Sequence, residues 1–593
     1  MNNTFHKPKA LPGKDYYFDS FSNGKVLLDK KKGHLPAMGW NSWNAFGSGN
    51  TAKLTKAMAD KFIELELDKL GYQYIVLDDG CYKSERINGE LSNETQKFPE
   101  GFKALSDYIH SKGLKFGMYN DIGTNLCAGA AVGTCGHEDT DAKSYIDWGV
   151  DFLKVDNCYY LWDNATFSAA TNAKYVYAPN IKGIRITGPD YDRYFSAVLD
   201  ASTTGRGCRI EADYVTNIGT YDGTNVGPTP VGIQSSELVF EVDVPCEAMY
   251  QIYITYATGE EVGVGSWLQL AIGKDVIYDD FLPATASPDT FTDSNGIEAN
   301  LRAGSHKIRI MNHRRQENTL NSYATLLEGL NKADSNHDII FSICEWGKTQ
   351  PQNWGYKVGD SWRILNDITF CVGADGDPGR GTWTDCGTAS VTSQYNKAVI
   401  MDEFAGLDKG WNDPDMLMIG MNGLDDTMCR THMTMWCMMN SPLMLGMDLR
   451  RVKKGDDIWQ IITNKELIAL NQDPLGIQAK RIYTTIETDC PDTDYITDNN
   501  RCDILVKPLA NGDIAISFIN LSEHPWDDTI RVNSKLIAKM LGAKLINADD
   551  FCNAKTYSVK DLWTGNTRVQ SSDIFEVQHL NAFESITVRV SAL

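Results

Sequence analysis

The sequence predicts a (β/α)8 barrel, a TIM barrel of the α/β class, interrupted by an inserted β-sandwich of jelly-roll type and followed by an antiparallel β domain. Three observations carry that reading. From Met38 onward, short apolar runs alternate with amphipathic helical stretches eight times, the pattern of a parallel sheet closed into a barrel. The fourth run ends near Asn157 and the fifth begins near Ile339, whereas a βαβ unit takes roughly 30 residues, so a guest domain stretches that repeat. After about Gly476 the helical period gives way to strands around an Asn511-Gly-Asp turn.

The barrel strands are expected over Ala37–Trp43, Tyr74–Asp79, Lys115–Asp121, Phe152–Asn157, Ile339–Trp346, Trp362–Asp367, Asp415–Ile419 and Leu443–Met447. Between them, apolar residues at three- and four-residue steps predict helices over Thr51–Leu70, Phe102–Lys112, Thr140–Trp148, Thr427–Asn440 and Asp456–Leu470. The guest segment reads as strict alternation in Glu237–Val244, Tyr250–Tyr256, Trp267–Ile272 and His306–Met311, with Gly, Asp and Asn turns between. Tyr323–Leu330 reads as the helix that resumes the barrel. The expected division is an N-terminal extension over 1–33, barrel over 34–161 and 321–477, insert over 162–320, and a C-terminal β-sandwich over 478–593.

Composition narrows the partners. The 593 residues carry a net charge of −22, which speaks against nucleic acid and anionic membranes, since both call for a basic face. No run of about 20 apolar residues occurs to cross a bilayer. The first twenty residues hold no apolar stretch of a signal peptide, so a cytoplasmic location is expected, or secretion if a leader precedes the chain. Fourteen cysteines spread over this length are not a small disulfide scaffold. They form no CxxC pair and no zinc-spaced cluster, so no metal is expected in the barrel.

Two carboxylates stand out. Asp156 ends the run Asp151-Phe-Leu-Lys-Val-Asp156 and Asp367 ends Ser361-Trp-Arg-Ile-Leu-Asn-Asp367. Lys154 precedes the first by two residues and Arg363 the second by four, and such neighbours on a strand share a face. Both acids are therefore expected in one interior, each beside a cation. Such a pair suits glycoside cleavage, in which one carboxyl is ionised and the other holds a proton. The remaining strand ends supply Trp40, Trp43, Asp78, Asp79, Tyr119, Asp121, Glu345, Trp346 and Asp415, with no histidine. Taken singly, each has a plainer reading. Adjacent acids after a strand often cap helices or form turns, Lys154 could serve only as a buried partner of Asp156, and Trp43 could be core. Their joint placement favours a sugar site.

The runs Met38-Gly-Trp-Asn-Ser-Trp43, Tyr74-Ile-Val-Leu-Asp-Asp79, Lys115-Phe-Gly-Met-Tyr119, Trp148–Cys158, Cys344-Glu-Trp346, Trp362-Arg363 with Asp367-Ile368, Trp411-Asn-Asp-Pro-Asp-Met-Leu417 and Asn471-Gln-Asp-Pro-Leu-Gly476 resemble the retaining α-galactosidases of the lysosomal and plant type. The resemblance covers the barrel and the C-terminal domain but not the insert. It implies release of terminal α-linked galactose from oligosaccharides or glycoconjugates without a catalytic cofactor. Asp156 would be the nucleophile and Asp367 the general acid/base. Asp78 and Asp79 would hold the 6- and 4-hydroxyls, Lys154 the 3- and 4-hydroxyls, and Arg363 and Glu345 the C2 side. Trp43, Tyr119 and Asp415 would complete the pocket. On these roles, Lys154 is expected to keep Asp156 ionised, and burial beside Asp156 to keep a proton on Asp367.

Cys127 and Cys158 match a disulfide pair of that family, and whether they are bonded here stays open. Cys344 matches as well, but no cysteine stands between Trp346 and Phe370 to be its usual partner. A β-L-arabinopyranosidase and an α-N-acetylgalactosaminidase are the near alternatives on this scaffold. An aldolase-like enzyme using Lys154 as a Schiff base would commonly bind phosphate through a Gly-rich loop late in the barrel, and Met418-Ile-Gly-Met-Asn and Leu445-Gly-Met-Asp supply no such loop. A sugar-binding protein with an inactive barrel would not need both acids. Within the insert, Cys208–Asp213 and Gly304–Asn312 resemble strands of jelly-roll carbohydrate-binding modules. That resemblance implies a structural calcium with Glu211 as a ligand, because the ion takes carboxylate and carbonyl oxygens. The sequence leaves the oligomeric state open.

Overall fold

The computed structural model describes residues 33–593 apart from 124, 159–178, 205–207, 217, 219–236, 258–265, 274, 284, 288, 312–313, 348–350, 369–370, 374–376 and 385–388. All but Gly33 of the expected N-terminal extension, and the expected boundary at 161/162, lie outside the described residues.

Eight parallel strands form one sheet: β1 (Met38–Asn41), β2 (Tyr74–Val76), β3 (Lys115–Asp121), β4 (Phe152–Asp156), β5 (Ile340–Cys344), β6 (Ser361–Arg363), β7 (Trp411–Asp413) and β8 (Leu443–Leu445). Their order is β7-β6-β5-β4-β3-β2-β1-β8. The ends meet through Leu417, whose N–H donates to the Met444 carbonyl at 2.8 Å and whose carbonyl accepts from Gly446 at 3.2 Å, closing the barrel. The strands read as continuous apolar runs because both faces are covered; Ile75, Val76, Phe116, Leu153, Val155 and Ile343 are all fully buried. Close approach sets one residue outright. A Cβ on Gly39 in β1 would lie 2.4 Å from the Tyr74 carbonyl oxygen of β2, so only glycine fits.

Several elements are shorter than their sequence patterns. The helix expected over Thr51–Leu70 runs only over Ala52–Glu64. Glu66 takes φ +59°, which an α-helix cannot continue through, and Asp68–Leu70 is a separate single turn. The stretch Asp456–Leu470 divides into Asp457–Ile462 and Lys465–Asn471, because the Asn464 side chain accepts the Glu466 and Leu467 N–H groups and starts a new helix. The strand expected over Asp415–Ile419 lies earlier, at Trp411–Asp413, and Asp415 itself has φ +75°. The strand expected to reach Asp367 stops at Arg363. An unforeseen helix, Val391–Ala398, follows β6 and begins with a capping box between Ser390 and Ser393.

The insert is a two-sheet sandwich. One sheet orders Asp275–Leu282, Ser266–Ile272, Gly304–Met311, Glu237–Val244 and Ala201–Thr204; the other is built around Ala248–Ala257 and Asn180–Gly188. Alternate residues of both, such as Ile184, Ile252, Leu238, Leu270 and Ile308, share one core. It leaves the barrel after β4 and returns through the helix Arg314–Ala333. The C-terminal domain is a six-stranded antiparallel sheet with a small second sheet pairing Ile530–Asn533 with Ile574–Val577. Leu505, Ala515 and Ile519 of that domain join the barrel core, and the Tyr395 hydroxyl donates across the junction to Asp503 at 3.0 Å.

Candidate active site

The C-terminal ends of β1 to β4 bring one group of side chains together. Asn41, the last residue of β1, accepts the Trp43 N–H with its side-chain oxygen and so starts the short helix Ser42–Phe46. Its amide nitrogen donates to Asp78 Oδ2 at 2.8 Å. The same oxygen receives Lys154 Nζ at 2.8 Å. Lys154 also lies 5.5 Å from the centroid of the Tyr119 ring, within cation–π range. Tyr119 donates its hydroxyl to Asp156 Oδ2 at 2.9 Å, and the Asn157 N–H donates to Oδ1 at 2.9 Å. Asp79 accepts Gly80 N–H at 2.6 Å and Ala128 N–H at 2.7 Å, one on each oxygen. The plain turn-forming role and the pocket placement therefore coexist in Asp79. Trp43 is half-buried against an apolar cluster that includes Tyr74, Phe152 and Met416.

A second group comes from β6 and the loops after β6 and β7. Arg363 is buried, with one guanidinium nitrogen 2.6 Å from Asp415 Oδ2 and 3.1 Å from Asp367 Oδ1. Asp415 also accepts the Ile368 N–H at 2.9 Å, which ties the Asp367 loop to the end of β7. Asp415 adopts its left-handed backbone at φ +75°, a strained conformation of the kind that collects at functional sites. Arg363 further donates to Cys344 Sγ at 3.6 Å. Cys344 is a buried free thiol, so the cysteine that lacked a disulfide partner in the sequence packs against the arginine instead. Cys127 and Cys158 are joined, with their Cα atoms 5.2 Å apart, beside Asp156.

Lys154 favours the ionised form of Asp156, as expected, but burial outweighs it. Burial pushes the Asp156 carboxyl up to about 6, with the negative charge of Asp367 adding to it and Lys154 opposing it. Lys154 forms its ion pair with Asp78 rather than Asp156, so it offsets only part of the desolvation. Asp367, expected to be buried, has a side chain 47% exposed, because it stands on a loop and not on a strand. Its meeting with Arg363 holds, but not for the strand-face reason. Burial likewise lifts Asp79 and Asp413 to about 6. Burial works against the Lys154 ammonium, yet the surrounding charges, Asp78 foremost, hold its pKa well above the ordinary value. Tyr119, buried beside Asp156, is raised far above the usual phenol range, and so stays a proton donor toward that carboxylate.

Glu345 is fully covered, and its charge adds to burial in raising the Tyr323 phenol. Tyr323 stands on the helix behind β4 and donates to the Val155 carbonyl at 3.2 Å. Beneath the pocket, Asn41, Lys154, Ser342, Ser361, Arg363 and Met444 help to line a cavity of about 30 Å3, room for a water molecule. Asn41 escaped the sequence reading, although an Asn-Ser pair at a strand end is a helix-start signal. Glu211 is exposed at the end of the two-residue strand Arg209–Ile210. The cluster of metal-capable side chains found among the described residues lies elsewhere.

A family model described as alpha galactosidase A matches residues 35–187 and 299–473. One described as the alpha galactosidase C-terminal beta sandwich domain matches residues 499–590. The chain is 26% identical to the alpha-galactosidase A of Cellvibrio japonicus, covering 90% of this chain and 86% of that protein. The crystal structure of a putative alpha-galactosidase/melibiase from Bacteroides fragilis superposes with a TM-score of 0.56 at 25% identity, over 94% of this chain and 79% of that one. Alpha-galactosidase I from Mortierella vinacea, with a TM-score of 0.58 at 22% identity over 94% and 98% of the two chains, shares the fold.

Proposed function

The chain belongs to the alpha galactosidase A family, whose model covers more than half of it, and from that premise we propose how its pocket cleaves a galactoside. The protein is an α-galactosidase, a glycoside hydrolase releasing terminal α-linked D-galactose. The observation that carries the mechanism is the pairing of a buried carboxylate, Asp156, with a half-exposed one, Asp367, close enough for the second to raise the pKa of the first.

Asp156 attacks the anomeric carbon while Asp367 gives its proton to the departing glycosidic oxygen, forming a galactosyl ester on Asp156. Asp367, now ionised, takes a proton from water as that water attacks the ester, which restores both groups and retains the anomeric configuration. Tyr119 and the Asn157 N–H aim Asp156 by hydrogen bonds to its two oxygens. The Asp78–Lys154 pair is preformed to meet adjacent hydroxyls, since each partner keeps further hydrogen-bonding capacity. Asp79 joins them at the 4- and 6-hydroxyls, and Trp43 faces the apolar side of the ring. Arg363 and Glu345 stand at C2. Oligosaccharides and glycoconjugates ending in α-galactose are the substrates this implies. Among the described residues no helix is long and apolar enough to cross a membrane.

The test is a panel of aryl α-galactoside, α-N-acetylgalactosaminide and β-L-arabinopyranoside, with the released sugar's anomer followed by NMR. Initial release of α-galactose from the galactoside, fastest of the three, is expected. Initial release of the β-anomer would overturn the double displacement, and a faster arabinopyranoside would overturn the assignment of Asp78.

A further inference from the structure

Around the nucleophile lies a cluster of which the hydrolysis uses only Asp156. One ligand atom each from Asp121, Cys127, Asp156 and Cys158 lies within 4.8 Å of every other, and three of the four residues are buried. Asp121 ends β3 and Asp156 ends β4, at directly paired positions of the two strands. The sulfur of Cys127 is 3.3 Å from Asp156 Oδ2. Three backbone N–H groups and the Tyr119 hydroxyl already orient the carboxylates. Asp121 accepts Gly123 N–H at 2.7 Å and Cys158 N–H at 2.6 Å, while Asp156 is held by Tyr119 and Asn157. Such outer hydrogen bonds position metal ligands in built sites.

We propose that, once the Cys127–Cys158 bond is reduced, these four side chains form a zinc-class metal site that captures the nucleophile and stops catalysis. The metal site itself stands on the cluster's geometry; only the loss of activity rests on the assigned role of Asp156. Reduction by a small thiol breaks the S–S bond. Two thiols of the reductant are oxidised to their disulfide and supply two electrons and two protons, leaving two cysteine thiols. A divalent zinc ion then displaces both thiol protons and binds two thiolates and two carboxylates, a charge-rich S2O2 set suited to a borderline-soft tetrahedral ion. Zinc–sulfur bonds of about 2.3 Å and zinc–oxygen bonds of about 2.0–2.2 Å require the two sulfurs to move apart while the carboxylate oxygens close around the ion. Removing the covalent bond between the sulfurs gives them that freedom. Cys127, the half-buried member on the loop after β3, gives the ion an entry path. In the bonded state the sulfurs have no thiolate to offer, so the disulfide keeps Asp156 free for its substrate.

The experiment compares the full-length protein oxidised and reduced with a phosphine, the reduction confirmed by a thiol count. Zinc uptake is measured by equilibrium dialysis with elemental analysis, and galactoside hydrolysis is measured in parallel. The reduced protein is expected to hold a single zinc ion more than the oxidised one and to lose hydrolysis reversibly, with recovery on chelation. The extra ion should vanish in the Cys127→Ser, Cys158→Ser double substitution. In Asp156→Asn, as in Asp121→Asn, zinc affinity should fall by at least about tenfold. Asp156→Asn is read by dialysis alone, so a failure of the metal site is told apart from a failure of the assigned mechanism. Equal uptake by oxidised and reduced protein, extra zinc retained by the double substitution, or a disulfide that the phosphine does not open would each overturn the proposal.

Discussion

The two halves of the pocket are made in different ways. Asp156 ends a barrel strand, is buried, and has both oxygens hydrogen-bonded by Tyr119 and Asn157. Asp367 stands on a loop, is half-exposed, and is held by an arginine whose stronger partner is Asp415. The difference teaches what each role needs. A nucleophile gains from fixed orientation and a dry setting, whereas a group that alternately donates and removes a proton must face the leaving group and then the incoming water. Burial has a cost on the first side, since it lifts the Asp156 carboxyl to about 6.

The largest test of that contrast is Asp156→Asn, expected to lower turnover on every substrate by on the order of 10^4 to 10^6-fold, in the range seen when a covalent nucleophile is lost. Asp367→Asn should behave unevenly. Steady-state hydrolysis of natural oligosaccharides should fall by about 10^2 to 10^4-fold, while an aryl galactoside with a good leaving group should keep a rapid first burst. Equal losses on both substrates, measured by stopped flow, would erase the distinction between the two acids.

Stability should separate the halves as well. Asp415→Asn removes a buried partner of Arg363, and leaving such a charge uncompensated is expected to destabilise by about 3–5 kcal/mol, read as a lower denaturation midpoint. Asp367→Asn removes a partly solvated contact and should shift that midpoint far less. A comparable shift in both variants would mean that the loop acid is as much a part of the scaffold as Asp415. Glu345→Ser opens room at a fully covered position and, on the C2 role proposed for Glu345, should move preference toward α-N-acetylgalactosaminides by roughly 1–3 kcal/mol, measured as a ratio of kcat/KM values.

The smallest expected effect is on pH dependence. A carboxyl whose pKa is raised to about 6 is ionised above that pH and protonated below it. On the nucleophile role proposed for Asp156, the kcat/KM profile should therefore fall on the acid side through about 6 as that carboxylate is protonated. Lys154 opposes that rise, so in Lys154→Met the acid limb should move to higher pH. An unchanged limb would assign it to another group, with Asp79 next in line.

Much of this architecture was legible because local periodicity carries it. Lys115–Asp121 folds over the whole of its predicted span, and the alternation in Glu237–Val244 reappears as alternating burial. Boundaries were misjudged where a single residue leaves the regular backbone, as at Glu66 and Asp415, since apolar spacing says nothing of a positive φ. The ion-pair partner of Lys154 was also misjudged. Two-residue spacing put Lys154 beside Asp156, but the nearest carboxylate in space is Asp78 on another strand.

By itself the sequence determined the order of the barrel strands, the point of insertion after β4, and the side chains delivered to the C-terminal ends of those strands. These follow from periodicity and from motifs written in consecutive residues. Only the tertiary structure decided which charges meet, which acid is dry, and that Cys127 and Cys158 lie against Asp156. Those outcomes depend on distances between separate strands and loops, and the free energy of a charge depends on the medium around it.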